Sequence, residues 1–198
     1  WYRYLNLGQR LPVVGGTDKM RNTTVLGGVR TYAKLAKGED FDYGTWCDAV
    51  RAGRTFASTG PMVDMRVEGR CLGETVRLPH TGGAVQIIAE AECVWPMERI
   101  EIIFNGRLIA SEKAFAEGKH ARINLKLNVS ESGWIAARCW GNFPSARGPI
   151  YAHTSPVYVK VGRLQTFDRE DADYVMNLLD GGIAWTKEIG VFTSEERR

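Results

Sequence analysis

Histidine is scarce in this chain of 198 residues, which contains three: His80, His120 and His153. None precedes residue 80, so the first part of the chain lacks the histidine clusters that commonly hold divalent metals. Four cysteines are present, but no two form a Cys-x-x-Cys pair, which excludes the usual zinc-ribbon and thioredoxin motifs. These shortages limit the metal or acid–base chemistry that the chain can perform alone.

An excess of one charge is also missing, since 26 Lys and Arg residues against 23 Asp and Glu residues leave a net charge of +3. So small an excess gives no reason to expect a nucleic-acid-binding or membrane-surface protein. No apolar run approaches the roughly 18 residues of a membrane-spanning helix. With 44% hydrophobic residues, 22 Gly and 7 Pro, the composition is typical of a globular protein with one large domain or two small ones.

The sequence opens on Trp1-Tyr2-Arg3-Tyr4-Leu5, without an initiator Met. It also lacks the charged segment, apolar run and cleavage site of a signal peptide. We therefore expect the chain to begin within a domain of a longer protein.

Residues 1–60 combine helical and extended patterns. A helix is expected to end at Gly8, and the apolar run Leu11–Val14, closed by two glycines, predicts a short buried strand. A second helix should begin after Asp42, which is a favourable N-cap residue, and end at Gly53.

From about Pro61 the hydrophobic pattern alternates with a period of two, which is typical of strands. Six such runs, separated by Gly, Pro or Asn, predict an antiparallel sandwich. The runs are Met62–Val67, Val85–Cys93, Ile100–Phe104, Ile123–Val129, Trp134–Cys139 and Val157–Val161. Asn105-Gly106 favours a type I′ turn and predicts a hairpin between Ile100–Phe104 and residues 107–110.

After Gly162 the pattern becomes helical again. Asp168 is a suitable N-cap, two acidic residues follow in the first turn, and Gly181-Gly182 should end the helix. Four apolar side chains at helical spacing predict a packing face: Ala172, Val175, Met176 and Leu179.

Two cysteines fall on the predicted inward faces of their strands. Cys93 and Cys139 are expected to be either two buried free thiols or one disulfide across the two sheets.

Asp18 is the first candidate for chemistry, in the sequence Gly15-Gly16-Thr17-Asp18-Lys19-Met20. A carboxylate just after a predicted buried strand occupies the position where many barrel and open-sheet enzymes place metal ligands. The alternative is an ordinary turn or helix-capping role.

A series of motifs in order resembles the C-terminal part of PHP-domain metallohydrolases of the carbaryl-hydrolase type. The series is Gly15–Met20, Gly28-Val29-Arg30-Thr31-Tyr32-Ala33, Trp46 with Ala49–Phe56, Thr59-Gly60-Pro61 and Ala152–Tyr158. The resemblance extends from the first residues to about Gly162.

The resemblance implies an α+β fold, mainly an antiparallel immunoglobulin-like β-sandwich at residues 61–163. Residues 1–60 would be the last strand and helices of a PHP-type (β/α) barrel, and residues 164–198 a C-terminal helical segment. PHP enzymes use two or three divalent metals to activate water for hydrolysis. Asp18 matches the Asp of the family's final metal-binding motif, although Met20 stands where many members have a second ligand, a histidine.

Two further residues are candidates for binding a substrate. Arg30 could contact an anionic group with its guanidinium, as could Arg54, although either could equally be solvated or paired. His153 precedes Thr154 and Ser155, but no acidic partner is near in sequence, so a structural role is the alternative. No residue of the chain is predicted to be catalytic.

Two functions follow as hypotheses. In the first, the chain is the C-terminal portion of a PHP-type hydrolase that uses zinc or manganese to cleave a small phosphoester, ester or carbamate; this chain alone is expected to be inactive and to need no metal. In the second, it is a non-catalytic β-sandwich module that binds carbohydrate, through aromatic residues such as Trp134 and Trp140, or protein. Either way, an incomplete barrel should dock on the sandwich, on the C-terminal helix or on a second copy of the chain.

Overall fold

The computed structural model describes residues 1–142 and 149–191. Most of this part of the chain is β-structure, in two sheets that enclose one apolar core. The strands are β1 (Arg30–Ala33), β2 (Thr55–Ser58), β3 (Met62–Val67), β4 (Thr75–Leu78), β5 (Gly83–Glu92), β6 (Arg99–Phe104), β7 (Arg107–Lys113), β8 (His120–Val129), β9 (Gly133–Gly141), β10 (Ile150–Thr154) and β11 (Val157–Val161). The helices are α1 (Tyr2–Asn6), α2 (Tyr43–Arg51) and α3 (Arg169–Ile189).

The large sheet is built around β9. On one edge β9 pairs with β10 and then β11, and on the other with β6, which forms the predicted hairpin with β7. Strands β1 and β2 extend the sheet beyond β10, and β4 adds to β11 in parallel. The small sheet has the order β3-β5-β8 and is antiparallel throughout.

The core lies between the two sheets, where alternate side chains of each strand point inward. The small sheet contributes Met65 and Ile87, and the large sheet contributes Ile100, Ile135 and Val157, all of them fully buried. This two-sheet α+β arrangement confirms the coarse fold class that the alternating pattern predicts. In the described part of the chain, neither sheet closes into a barrel.

The first 60 residues dock on the large sheet. Strands β1 and β2 join it by backbone pairing, and α1 packs over β9 through Leu5, which is buried against Ile103 and Trp134. Helix α1 also contacts α3. Two of the three expected docking surfaces, the sandwich and the C-terminal helix, are therefore used within the chain.

The predicted helix boundaries at the start of the chain are confirmed. Gly8 and Gly53 follow α1 and α2 with positive φ angles of 77° and 72°, a conformation that glycine adopts at little cost. Asp42 caps α2 by accepting a hydrogen bond from the Thr45 amide, and the Thr45 hydroxyl accepts one from the Asp42 amide in return.

The buried strand predicted at Leu11–Val14 is wrong. The segment pairs with no strand, and Val14 is 58% exposed. Pro12 has no amide hydrogen, and the polar groups of Val13 bond to side chains instead: its amide donates to Ser155 Oγ and its carbonyl accepts from Thr55 Oγ1. An apolar run can thus lie extended across a sheet without joining it.

The helix end predicted at Gly181-Gly182 is also wrong, because α3 continues to Ile189. Each glycine inside a helix costs about 1 kcal/mol relative to alanine, which weakens a helix without ending it. The predicted packing face is formed only in part, since Val175 is half-buried but Met176 and Leu179 are each 56% exposed. The end of the predicted C-terminal segment, residues 192–198, lies outside the described residues.

Both inward-facing cysteines are buried, as predicted, and both are free thiols. Burial raises the pKa of the Cys139 thiol to about 12, with a smaller contribution from neighbouring Cys93. Among the described residues, no helix combines the length and apolar character needed to cross a bilayer.

Candidate functional site

The outer face of the large sheet carries a cluster of charged and aromatic side chains. Residues that face each other across antiparallel strands share one side of the sheet. The register pairs Arg99 with Trp140, Glu101 with Arg138, and Arg138 with His153. All five residues therefore lie on the face opposite the core, at the centre of β6, β9 and β10.

Glu101 is the buried centre of this cluster, with a side chain only 2% exposed. Arg99 Nε donates to its Oε1 and Arg138 Nε donates to its Oε2, each at 2.7 Å. Burial opposes ionisation of this carboxylate, but the two charged hydrogen bonds outweigh it and hold the pKa of Glu101 below its ordinary value. Glu101 is therefore a carboxylate at neutral pH, and it fixes both guanidinium groups in place.

His153 is held as a neutral ring beside this ion network. Its Nδ1 lies 2.8 Å from the Thr154 carbonyl, which can only accept, so Nδ1 carries the proton. Nε2 then accepts from the Tyr2 hydroxyl at 2.6 Å. Burial, and to a lesser extent the charge of Arg138, lower the pKa of His153 to about 4. At neutral pH this imidazole is accordingly an uncharged side chain with both nitrogens occupied.

Tyr2 connects helix α1 to the same cluster. Its ring packs against Trp134 at 4.8 Å between centroids, and burial raises the pKa of its hydroxyl despite the nearby charge of Arg138. The hydroxyl therefore stays protonated and can donate to His153. Arg138 also donates a hydrogen bond to the Tyr2 hydroxyl, so these contacts form a continuous polar chain from Glu101 to the Thr154 carbonyl.

A cavity of about 500 Å³ lies against this cluster on the outer face. Its charged wall is formed by Arg99 and Arg138. The other lining residues are Val29, Ala57, Ser58, Thr59, Cys139, Trp140, Tyr151, Ala152 and His153. The volume lies within the range of small-molecule pockets, and its lining of mostly apolar groups with a few fixed polar ones is typical of such sites.

The loop that carries Asp18 borders the same face of the sheet. Gly15 packs so closely that an added Cβ would lie 3.1 Å from Val29 Cγ1 and 3.2 Å from Ala57 Cβ, and both of these residues line the cavity. Thr31 Oγ1 holds the loop by bonding to the amide and the carbonyl of Gly15 at 2.8 Å each. The absence of a side chain at Gly15 thus allows the loop to approach the sheet.

Asp18 itself is exposed and has a positive φ angle of 46°. Within residues 1–142 and 149–191, no hydrogen bond or ion pair occupies its carboxylate. This geometry fits both roles left open by the sequence, since Asp tolerates the left-handed conformation in turns and a free carboxylate can bind a metal.

Arg30 and His153 are not brought together. Arg30 faces Ser58, Ser58 faces Ala152, and Ala152 immediately precedes His153 in β10. Because neighbouring residues of a strand point to opposite faces, Arg30 and His153 lie on opposite sides of the sheet. The Arg30 guanidinium is exposed and lies 5.7 Å from the ring centre of Tyr32.

The described residues contain no group of three or more His, Cys, Asp or Glu side chains that could hold a metal ion. Asp18 can offer carboxylate oxygens, but the described residues do not supply the further ligands that a divalent-metal centre needs. A PHP-type metal site therefore does not fit these residues alone.

The predicted aromatic platform for a carbohydrate is not available as a pair. Trp134 is fully buried under α1, and its Nε1 donates to Asn6 Oδ1 at 2.7 Å. Trp140 is half-buried, with the Arg99 guanidinium 4.0 Å from its ring centre. Trp140 is thus the one of the two that lines an open cavity.

The ion network around Glu101 was not predicted from the sequence. A signal for it exists, because Glu101 and Arg138 interrupt the apolar segments Ile100–Ile103 and Ile135–Cys139. A charged residue within such a strand points to the face opposite the core. The pairing of Glu101 with Arg138, 37 positions apart, depends on a strand register that no local pattern reveals.

No protein-family model matches this chain, and no curated protein matches it. The resemblance to PHP enzymes therefore depends on the ordered motifs of the sequence itself.

Proposed function

We propose that this chain is the C-terminal portion of a PHP-type metal-dependent hydrolase. In this proposal residues 1–60 are a C-terminal fragment of the barrel, and residues 61–163 are an immunoglobulin-like sandwich. Asp18 supplies one ligand to zinc or manganese, the remaining ligands come from outside the chain, and the substrate is a small phosphoester, ester or carbamate.

The observation that carries the proposal is the loop around Asp18. Its carboxylate is exposed and unpaired among the described residues, on a loop that Thr31 holds against the outer face of the sheet at Gly15. The apolar side chains nearby are also uncovered: Val14, Met20, Val25 and Leu26 are all exposed. Exposed apolar groups clustered around a free carboxylate favour a surface that another part of a larger protein covers.

The test is the variant Asp18→Asn in the longer hydrolase that the proposal implies. The amide keeps the size of the side chain but removes the negative charge that a divalent metal requires. We expect metal content, measured by elemental mass spectrometry, to fall, and hydrolysis of bis(4-nitrophenyl) phosphate to fall by about a hundredfold or more.

The matched control is Asp180→Asn, which changes an exposed aspartate on α3. It should leave metal content and hydrolysis unchanged. Full metal content and full activity in Asp18→Asn would contradict the proposal, as would stoichiometric metal binding with turnover by the 198-residue chain alone.

A second candidate function is a non-catalytic binding module. The burial of Trp134 argues against a flat carbohydrate platform, whereas the exposed apolar residues between positions 14 and 26 favour a protein partner, including a second copy of the chain. Absence of bound metal and of hydrolysis from the unsubstituted longer protein would favour this second function.

A further inference from the structure

Neither proposed function makes use of the cavity on the outer face. Two guanidinium groups project into it from Arg99 and Arg138, with side chains 38% and 40% exposed. Each guanidinium bonds to Glu101 through its Nε atom. Arg138 also hydrogen-bonds to the Tyr2 hydroxyl. Since an arginine side chain has five N–H donors, terminal donors remain on both groups for a further acceptor.

The charge balance around the cavity is positive. The two arginines and Glu101 together leave one positive charge, and no carboxylate occurs among the described residues that line the cavity. His153 adds no charge at neutral pH, because both its nitrogens are engaged and its ring is neutral. The network therefore matches a ligand with a single negative charge better than a dianion.

The remaining walls are mostly apolar or aromatic, with Ser58, Thr59 and neutral His153 as the polar exceptions. Trp140 lies under the Arg99 guanidinium, which covers one face of its ring, and Tyr151 is directly opposite Trp140 on the neighbouring strand. Val29 and Ala57 also line the cavity. Aromatic rings beside a fixed guanidinium favour a ligand with a planar apolar body, which packs against the uncovered ring surface while its anionic group reaches the arginines.

We propose that this cavity, defined by Arg99, Arg138, Trp140, Tyr151 and His153, binds a small aromatic carboxylate. The carboxylate would accept hydrogen bonds from the terminal guanidinium nitrogens of Arg99 and Arg138. The ring of the ligand would lie between Trp140 and the apolar wall. This site is independent of Asp18, so failure of the metal-site proposal leaves it standing and its own failure leaves that proposal standing.

The experiment is a titration of the isotope-labelled 198-residue chain with benzoate, followed by two-dimensional nuclear magnetic resonance. We expect the largest shifts at the amides of Trp140, Tyr151 and His153. Benzamide, which has the same shape without the charge, and acetate, which has the charge without the ring, should each bind at least about tenfold more weakly.

Single substitutions test whether the arginine side chains bind the carboxylate of benzoate. Arg99→Gln should weaken benzoate binding by about tenfold, because one charge-assisted contact is lost. The control Arg122→Gln removes an arginine from a surface ion pair with Glu90 on the small sheet and should leave benzoate binding unchanged. If Arg99→Gln fails to fold, Tyr151→Ala at an exposed wall residue provides the second variant, with a smaller expected loss of affinity.

Three results would overturn the proposal. Equal binding of benzamide and benzoate would show that the guanidinium groups are not used, and shifts confined to residues outside the cavity would place the ligand elsewhere. Tighter binding of phenyl phosphate than of benzoate would replace the carboxylate with a dianion and contradict the charge balance.

Discussion

The inner face of the large sheet is lined by Ile100, Ile102, Ile135 and Ala137, whereas the alternate residues of the same two strands on the outer face include Arg99, Glu101 and Arg138. The inner residues need only shape complementarity to the small sheet. The outer charges need oppositely charged partners at hydrogen-bond distance, since burying a carboxylate that is not paired and hydrogen-bonded destabilises the fold.

The two faces of the sheet differ in how strictly they determine which side chains can occupy them. Apolar contacts of the inner face tolerate exchange among side chains of similar volume. The outer cluster does not tolerate such exchanges, because Glu101 binds both arginines and the cluster extends through Tyr2 to His153. Helix α1 is thereby fixed to the sheet by polar as well as apolar contacts.

Removal of the negative charge of Glu101 should have the largest effect on stability and tests this contrast most directly. Glu101→Gln leaves Arg99 and Arg138 side by side without a counter-ion, and it should lower the free energy of unfolding by about 3 kcal/mol. Urea denaturation with linear extrapolation measures the change. Glu112→Gln, at an exposed position of β7, is the control and should change stability by less than about 0.5 kcal/mol. A loss as small as that of the control would mean that the outer network is no stronger than a surface ion pair.

The second test lowers the pH to a range in which His153 is protonated in the unfolded chain but stays neutral in the folded chain. The pKa of His153 is about 4 in the folded chain, against an ordinary value of 6.5, so the unfolded chain binds more protons between these values. Stability is therefore complete above pH 6.5 and falls as the pH decreases toward 4. We expect a loss of about 2 kcal/mol from about pH 8 to about pH 5, measured by denaturation at each pH.

The variant His153→Gln should flatten that pH dependence. His120→Gln, at a half-exposed histidine beside Glu92, should retain it and serves as the control. An unchanged slope in His153→Gln would mean that another group is responsible.

The smallest expected effect concerns the attachment of α3 to α1. Asp171 accepts hydrogen bonds from Arg3 at 2.6 Å and from Asn6 at 2.7 Å, while its own side chain is 12% exposed. Asp171→Asn should cost about 1 kcal/mol, since one partly exposed ion pair is lost and a hydrogen bond is weakened. Asp173→Asn, two residues later on the exposed side, should have no measurable effect, and equal losses in both variants would contradict a specific role for Asp171.

Sequence patterns located the strands whose alternation follows the core. The bounds of β3 and β11 agree with the predicted runs, as does the turn at Asn105-Gly106, where both residues have positive φ angles. Strands β1 and β2 were missed because each has four residues and gains its stability from long-range pairing. Propensity alone does not reveal such strands.

The candidate site was predictable only in fragments. The sequence singled out the loop of Asp18, but not its packing at Gly15 against Val29 and Ala57, which depends on the position of β1 and β2. The proximity of Tyr2 to His153 joins positions 151 residues apart, and it depends on how α1 docks on the sheet. Contacts of this kind follow from tertiary packing and leave no local trace in the sequence.

Glu101 accepts hydrogen bonds from two arginines, and this arrangement also constrains which substitutions the protein tolerates during evolution. Loss of Glu101 alone leaves Arg99 and Arg138 without their counter-ion, whereas loss of one arginine leaves the carboxylate paired with the other. Glu101 should therefore be retained among related sequences as long as either arginine remains. A lineage that kept Glu101 while losing both arginines would have to supply another cation from outside the sheet.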